Sequence, residues 1–267
     1  MLGKSLGRFL TLSLLAVLVI AGCSAARSTP PGPSAPSVEL NVAAAVSMKD
    51  ALTEIKQQYQ AVKPHVKIDL NLASSGALQQ QIEQGTPTDL FISAATKQMD
   101  ELEAKNLINQ QTRTNLVENQ LVMIVPKGSP LGLQKFADIT NTGVRKFGMG
   151  EPETVPAGQY ALQALQTLNV WDTIKNKAVF TKDVRTVLTY VESRNVEAGF
   201  VYRTDAAISH KVQIVAAAPA ASHQPIIYPA AVLSGAQQAK EAERFLNYLH
   251  SPEAKTIFEK YGFIVSK

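Results

Sequence analysis

The sequence holds one cysteine, Cys23, one tryptophan and four histidines in 267 residues, and only 18% of it is charged. A lone thiol excludes an internal disulfide. Everything after Cys23 is also without a thiol nucleophile. His65, His210, His223 and His250 stand apart, with no H-x-x-x-H spacing and no cysteine partners, which argues against a zinc site. G-x-G-x-x-G and Walker A are missing, and neither G-x-S-x-G nor S-x-x-K surrounds Ser47 or Ser75. No run of Lys and Arg interleaved with aromatics occurs, so nucleic acid is not an expected partner.

Hydrophobic residues, by contrast, make up 45% of the chain, enough for one large or two modest cores. Lys4 and Arg8 precede an apolar segment over 9–20, and Ile20-Ala21-Gly22-Cys23 follows. A basic start, a short apolar core and small residues describe a secretory leader over 1–22. The approach to Cys23 resembles the lipobox of bacterial lipoproteins, which makes Cys23 the expected lipidation site and first mature residue. Loss of the leader removes two cations and no acid, so the formal net charge falls from +4 to +2. That is too little to argue for a polyanionic partner. Residues 23–37 are rich in Pro and Ser and lack large apolar side chains, which predicts an extended tether.

The globular part opens with an apolar run over 38–46 that reads as a strand, then breaks at Ser47 into a helical pattern over 47–60 carrying Met48, Ala51, Leu52, Ile55 and Tyr59. Ser47 is expected as its N-cap. The same junction recurs. A strand over 66–72 reaches Ala73-Ser74-Ser75-Gly76 before a helix with Leu78 and Ile82. A short strand over 147–150 runs through prolines into a helix whose free N–H groups lie around Ala157, with Pro156 in the first turn. A fourth junction, 178–183, leads into a helix with Val184, Val187, Leu188 and Val191, capped by Thr181 or Asp183. Further strands are expected over 89–94, 120–126, 198–202 (ending on Tyr202) and 226–233, and two helices close the chain. Strands alternating with helices predict an α/β, mostly parallel, doubly wound architecture.

Helix N-termini beyond strand ends offer backbone N–H groups and roughly half a positive charge each to an anion. No acid or base that could turn a serine into a nucleophile is evident at these junctions. Lys182, Arg185 and Arg203 beside the fourth junction and the tyrosine are expected as solvated or salt-bridged surface groups. The chemistry predicted is capture rather than turnover, and no cofactor is expected.

Ala43-Ala44-Ala45-Val46-Ser47, Ala73-Ser74-Ser75-Gly76, Asp89-Leu90-Phe91-Ile92-Ser93-Ala94, the segment from Glu151 to Tyr160, Asp183-Val184-Arg185, Val201-Tyr202-Arg203-Thr204-Asp205-Ala206 and Tyr261-Gly262-Phe263 together resemble the molybdate-binding proteins of ABC importers. The resemblance spans the chain after the tether. It implies the two-lobed type II periplasmic-binding-protein fold, each lobe a mostly parallel sheet flanked by helices, with the ligand cleft between them. Residues 38–121 and 229–267 would form the first lobe and 122–228 the second. Molybdate, and with it tungstate, would be held by Ser47, Ser75, Ala157, Val184 and Tyr202, with molybdenum present only as the oxyanion and no direct metal ligand. The implied partners are an ABC permease and its ATPase, and the membrane through lipid on Cys23; the implied state is an extracytoplasmic monomer. Gly76 departs from family members that carry Ser there.

A site built only of donors suits a fully deprotonated tetrahedral dianion and penalises one whose O–H would face another donor. Monohydrogen phosphate should be rejected, whereas sulfate could be excluded only by size, set by neighbours such as Val46, Val155 and Val184. The competing readings are a sulfate-type binding protein, a lipid-anchored serine hydrolase using Ser47 or Ser75, and an adhesin in which the donors are merely caps.

Overall fold

The computed structural model describes residues 37–265. The leader, Cys23 and nearly all of the expected tether lie outside the described residues.

The chain begins with strand β1 (Val38–Ala45), helix α1 (Lys49–Val62), β2 (Val66–Ala73), α2 (Ser75–Glu83), β3 (Leu90–Ile92), α3 (Thr96–Ala104) and β4 (Thr114–Glu118). It continues through β5 (Leu121–Pro126), β6 (Phe147–Gly150), α4 (Pro156–Thr167), α5 (Trp171–Ile174), β7 (Ala178–Thr181), α6 (Val184–Glu192), β8 (Ala198–Tyr202), α7 (Arg203–Ala207) and β9 (Val212–Ala217). It ends with β10 (Ile227–Val232), α8 (Ala239–Leu249) and α9 (Pro252–Lys260).

Two five-stranded sheets result, one ordered β2-β1-β3-β10-β4 and the other β7-β6-β8-β5-β9. In each, one strand runs against both neighbours: β10 is antiparallel to β3 and β4, and β5 to β8 and β9. These are the strands that have just arrived from the other sheet. The remaining four share one direction, so each sheet is mostly parallel, as expected of an α/β fold with helices on its faces. β5 is buried at every position, which is why its sequence is a continuous apolar run rather than an alternation.

The chain passes between sheets at Asn119–Gln120 and again between Ala217 and Ile227. Leu121, assigned to the first lobe from sequence, pairs with Tyr202 in the second sheet. Tyr228, assigned to the second, pairs with Val117 in the first. Strand pairing thus puts both passages slightly before the division that the resemblance implies.

The helices follow the periodicity. α1 buries Ala51, Leu52, Ile55 and Tyr59, and α6 buries Val184, Val187, Leu188 and Val191, each a stripe at helical spacing. At one position packing leaves no room for a side chain: a Cβ on Gly158 would stand 1.9 Å from the carbonyl oxygen of Gly150. The first turn of α4 thereby drops directly onto the end of β6, and its free N–H groups reach the level of the strand ends.

Candidate functional site

The C-terminal ends of β1, β2, β6 and β7 each lead into a helix whose start lies between the sheets, the place where open α/β sheets bind ligands. Ser75 is the first residue of α2, Val184 the first of α6, and Ala157 the second of α4. N–H groups at such positions have no acceptor within their own helix. Ser47 differs from its expected role. A 3₁₀ turn, Val46–Met48, intervenes before α1, whose N-cap is Met48 without a side-chain bond. The Ser47 hydroxyl bonds the Tyr228 hydroxyl at 2.9 Å instead of capping the helix. Asp183, one of the two expected caps of α6, does accept from the Thr186 N–H at 2.7 Å.

All five sequence-predicted residues line one cavity, together with Ala45, Val46, Ala73, Ser74, Ala94, Val155 and Pro156. None of these twelve lining residues is charged. The space between them is about 210 Å³ and opens in part to solvent.

The hydroxyls in this cavity keep hydrogen-bonding capacity unused by their neighbours among the described residues. Ser75 Oγ accepts from the Ala94 N–H at 2.9 Å, which leaves its proton free. The Tyr202 hydroxyl is buried and has no hydrogen-bond partner among the described residues, and the same holds for Ser74 Oγ. Burial, reinforced by the neighbouring Tyr228, pushes the Tyr202 phenol well above its ordinary pKa, so it remains a donor at neutral pH. Ser74, part of the Ala73-Ser74-Ser75-Gly76 motif, is thus a further cavity hydroxyl. Its position beside Ser75 at a strand end was the available signal.

Arg185 was expected at the surface and is found clasping the two lobes. Its side chain is 18% exposed. Nε donates to Asp205 at 2.5 Å within the second lobe, and Nη2 donates to Asp50 at 2.6 Å and to the Ser47 carbonyl at 3.3 Å in the first. Burial pushes Asp205 up to about 6 against the pull of the guanidinium. For Arg185 burial works the other way, but the two carboxylates outweigh it and hold it protonated. Its charge is thus neutralised beside the cavity rather than presented to it. Arg203, the other arginine noted from sequence, donates through Nε to Gln120 at 2.7 Å, and exposed Lys182 makes no ion pair among the described residues.

A second cross-lobe contact is made by backbone. The Gly76 N–H donates to the Thr154 carbonyl at 3.0 Å, close enough that a Cβ on Gly76 would stand 2.6 Å from that oxygen. None of the three cavity serines bonds a histidine or carboxylate that could take its proton among the described residues. Nothing in the arrangement prepares a nucleophile.

Fold and cavity together define a two-lobed α/β binding protein. The sequence profile of the bacterial extracellular solute-binding proteins matches residues 40–264, and the chain belongs to that family. It is 44% identical to a Bacillus subtilis protein provisionally named the ABC transporter substrate-binding lipoprotein YvgL, over 94% of this chain and 95% of that one. The molybdate-binding protein ModA of Haemophilus influenzae is 40% identical, over 86% of this chain and 91% of its own. Among solved structures, the substrate-binding domain of a provisionally named molybdenum ABC transporter from Clostridium difficile superimposes with a TM-score of 0.67 at 41% identity, covering 86% of this chain and 100% of that domain.

Proposed function

We propose that this chain captures molybdate, and tungstate with it, and delivers the oxyanion to an ABC permease and its ATPase. Ser47 and Ser75 bind it through hydroxyl and backbone N–H, Ala157 and Val184 through backbone N–H, and Tyr202 through its phenol. The observation that carries this reading is a small cavity lined only by uncharged residues, into which protonated hydroxyls and helix N-termini converge. Charge-assisted bonds to such donors are stronger than neutral ones, and the cavity offers no charged acceptor to an incoming O–H. The relatives named for molybdate support the ligand class, and the lipoprotein name of the Bacillus relative supports an anchor on Cys23. The protein then works as a monomer tethered outside the cell, closing its lobes because the ligand touches both.

Calorimetric titration of the leaderless protein with molybdate, tungstate, sulfate and phosphate at neutral pH tests this. Tight binding of the first two, weak sulfate and absent phosphate are expected. Tight sulfate or phosphate would assign the cleft to another importer, and no binding would reduce the four junctions to ordinary helix caps.

A further inference from the structure

The Ser47 hydroxyl sits at the end of a buried chain of hydrogen bonds whose direction can be worked out atom by atom. The Gln120 N–H donates to Asn119 Oδ1 at 2.8 Å. A backbone N–H can only donate, so this contact fixes which end of the Asn119 amide is oxygen. The other end, Nδ2, must donate, and it does so to Thr204 Oγ1 at 2.9 Å and to the Tyr228 hydroxyl at 3.2 Å. The Tyr228 oxygen is therefore an acceptor toward Asn119, and its own proton has to go elsewhere. Ser47 Oγ, at 2.9 Å, is its other hydrogen-bond partner among the described residues. Tyr228 is buried, and burial pushes its phenol far above the ordinary range, so that proton is not lost at neutral pH. With Tyr228 donating to it, Ser47 can extend its own proton only into the cavity.

We infer that Tyr228, oriented by Asn119, is a positioning residue that forces Ser47 to act as a donor and thereby lets the cleft discriminate against oxyanions that carry a proton. The inference rests on the proposed oxyanion site and adds the reason for its selectivity. A free serine hydroxyl donates or accepts as its neighbour requires, so Ser47 alone would tolerate a ligand O–H. Ser75 reaches the same state by a shorter route, through the Ala94 N–H. Asn119 lies at the first passage between the sheets and Tyr228 at the start of the strand that returns, so the chain is anchored where the lobes join.

The test compares molybdate with phosphate, by calorimetry, at a pH where phosphate is the monohydrogen dianion. Both ligands then carry the same charge; they differ in the proton and in size, and the size difference is common to parent and variants, so a change in their ratio reports on the proton. In Tyr228→Phe the molybdate Kd should rise by severalfold, because Ser47 loses the neutral hydrogen bond that orients it while keeping its own proton for the ligand. The phosphate-to-molybdate Kd ratio should narrow by about tenfold or more. Asn119→Asp is the second variant: its carboxylate draws the Tyr228 proton, turns Ser47 into an acceptor and should narrow the ratio further, because added repulsion acts equally on both dianions. In a Ser47→Ala background, Tyr228→Phe should leave the ratio unmoved. A ratio unchanged in both single variants, with molybdate still bound by the parent protein, overturns the positioning role alone. A parent protein that binds no oxyanion overturns the site and this inference together.

Discussion

Arg185 in the second lobe holds Asp50 in the first, Nη2 to Oδ2 at 2.6 Å, while the same guanidinium is pinned from below by Asp205. The pairing matters because Asp50 is one-third exposed whereas Asp205 is fully buried. Removing Asp50 unfastens the lobes without orphaning a buried charge. Removing Arg185 would strand Asp205, at a cost of about 3–5 kcal/mol. Asp50→Asn should therefore speed molybdate release by about three- to tenfold, the scale of a partly exposed ion pair, with little change in Tm. Stopped-flow release kinetics beside a thermal melt would decide it, and an unchanged off-rate would show that the clasp contributes nothing to closure.

Gly76→Ala should separate folding from closing. Within α2, alanine is favoured over glycine by about 0.5–1 kcal/mol, so the ligand-free protein should melt no lower than the parent. The added Cβ nonetheless meets the Thr154 backbone at 2.6–2.7 Å, and backbone cannot swing aside. Molybdate affinity should fall by about tenfold or more, on the scale of a core overpacking penalty. Equal affinity in parent and variant would mean that the lobes close without this contact.

Tyr202→Phe and Ser75→Ala are expected to move free-protein stability in opposite directions. The Tyr202 hydroxyl is buried without a partner, so deleting it should stabilise the ligand-free protein by about 1 kcal/mol or more while weakening the oxyanion complex. Ser75→Ala also weakens the complex by more than about 1 kcal/mol, yet it removes the acceptor of the Ala94 N–H and should destabilise the free protein by about 1–3 kcal/mol. Melts with and without molybdate read both effects. A Tyr202→Phe variant less stable than its parent would show that the phenol is satisfied in the free state.

Asp205 gives a pH signature. Its pKa is raised by burial to about 6, above the unfolded value, so the folded state favours the protonated form. Its contribution to stability is complete below the unfolded pKa, near 4, and is lost as pH rises through about 6, an effect on the order of 3 kcal/mol. Carboxylates held low, such as Glu197 beside Arg145 and the Lys146 N–H, act in the opposite sense. The check is a difference: unfolding free energies of Asp205→Asn and the parent, compared from pH 4 to 8, should diverge in slope between pH 4 and 6. Parallel curves would place the Asp205 pKa at its unfolded value.

The strand–turn–helix junctions were legible because they are local. A few apolar residues at period two, a Ser or Pro break and a helical stripe lie within about a dozen positions, and the four sites read this way surround one cavity. Ser47 shows the limit of local reading. Its sequence context is that of an N-cap, but a tyrosine 181 residues away takes its hydroxyl. Asn119 had no signal at all, since it sits between two strands as an ordinary polar residue and acquires its role through Thr204 and Tyr228. β9 was missed although Val212-Gln213-Ile214-Val215 begins with an alternation, and β4 was missed because its half-buried residues carry no run. Arg185, expected as a solvated or salt-bridged surface group, is salt-bridged but largely buried, because the facing lobe supplies a second carboxylate that sequence cannot reveal.

The two sheets differ in how they are drawn from the chain. β5 to β9 are consecutive, so the second sheet is encoded by one uninterrupted stretch, 121–217. The first needs β10 inserted between β3 and β4, and that strand starts at Ile227. A ribosome therefore delivers every strand of the later-encoded lobe before the earlier-encoded one can be completed. Until Val232 has left the exit tunnel, β3 and β4 offer unpaired edges to any passing strand. The nascent protein is most vulnerable to misassembly in its oldest part, and a premature stop between Ala217 and Ile227 leaves a finished second sheet attached to a first that lacks its fifth strand.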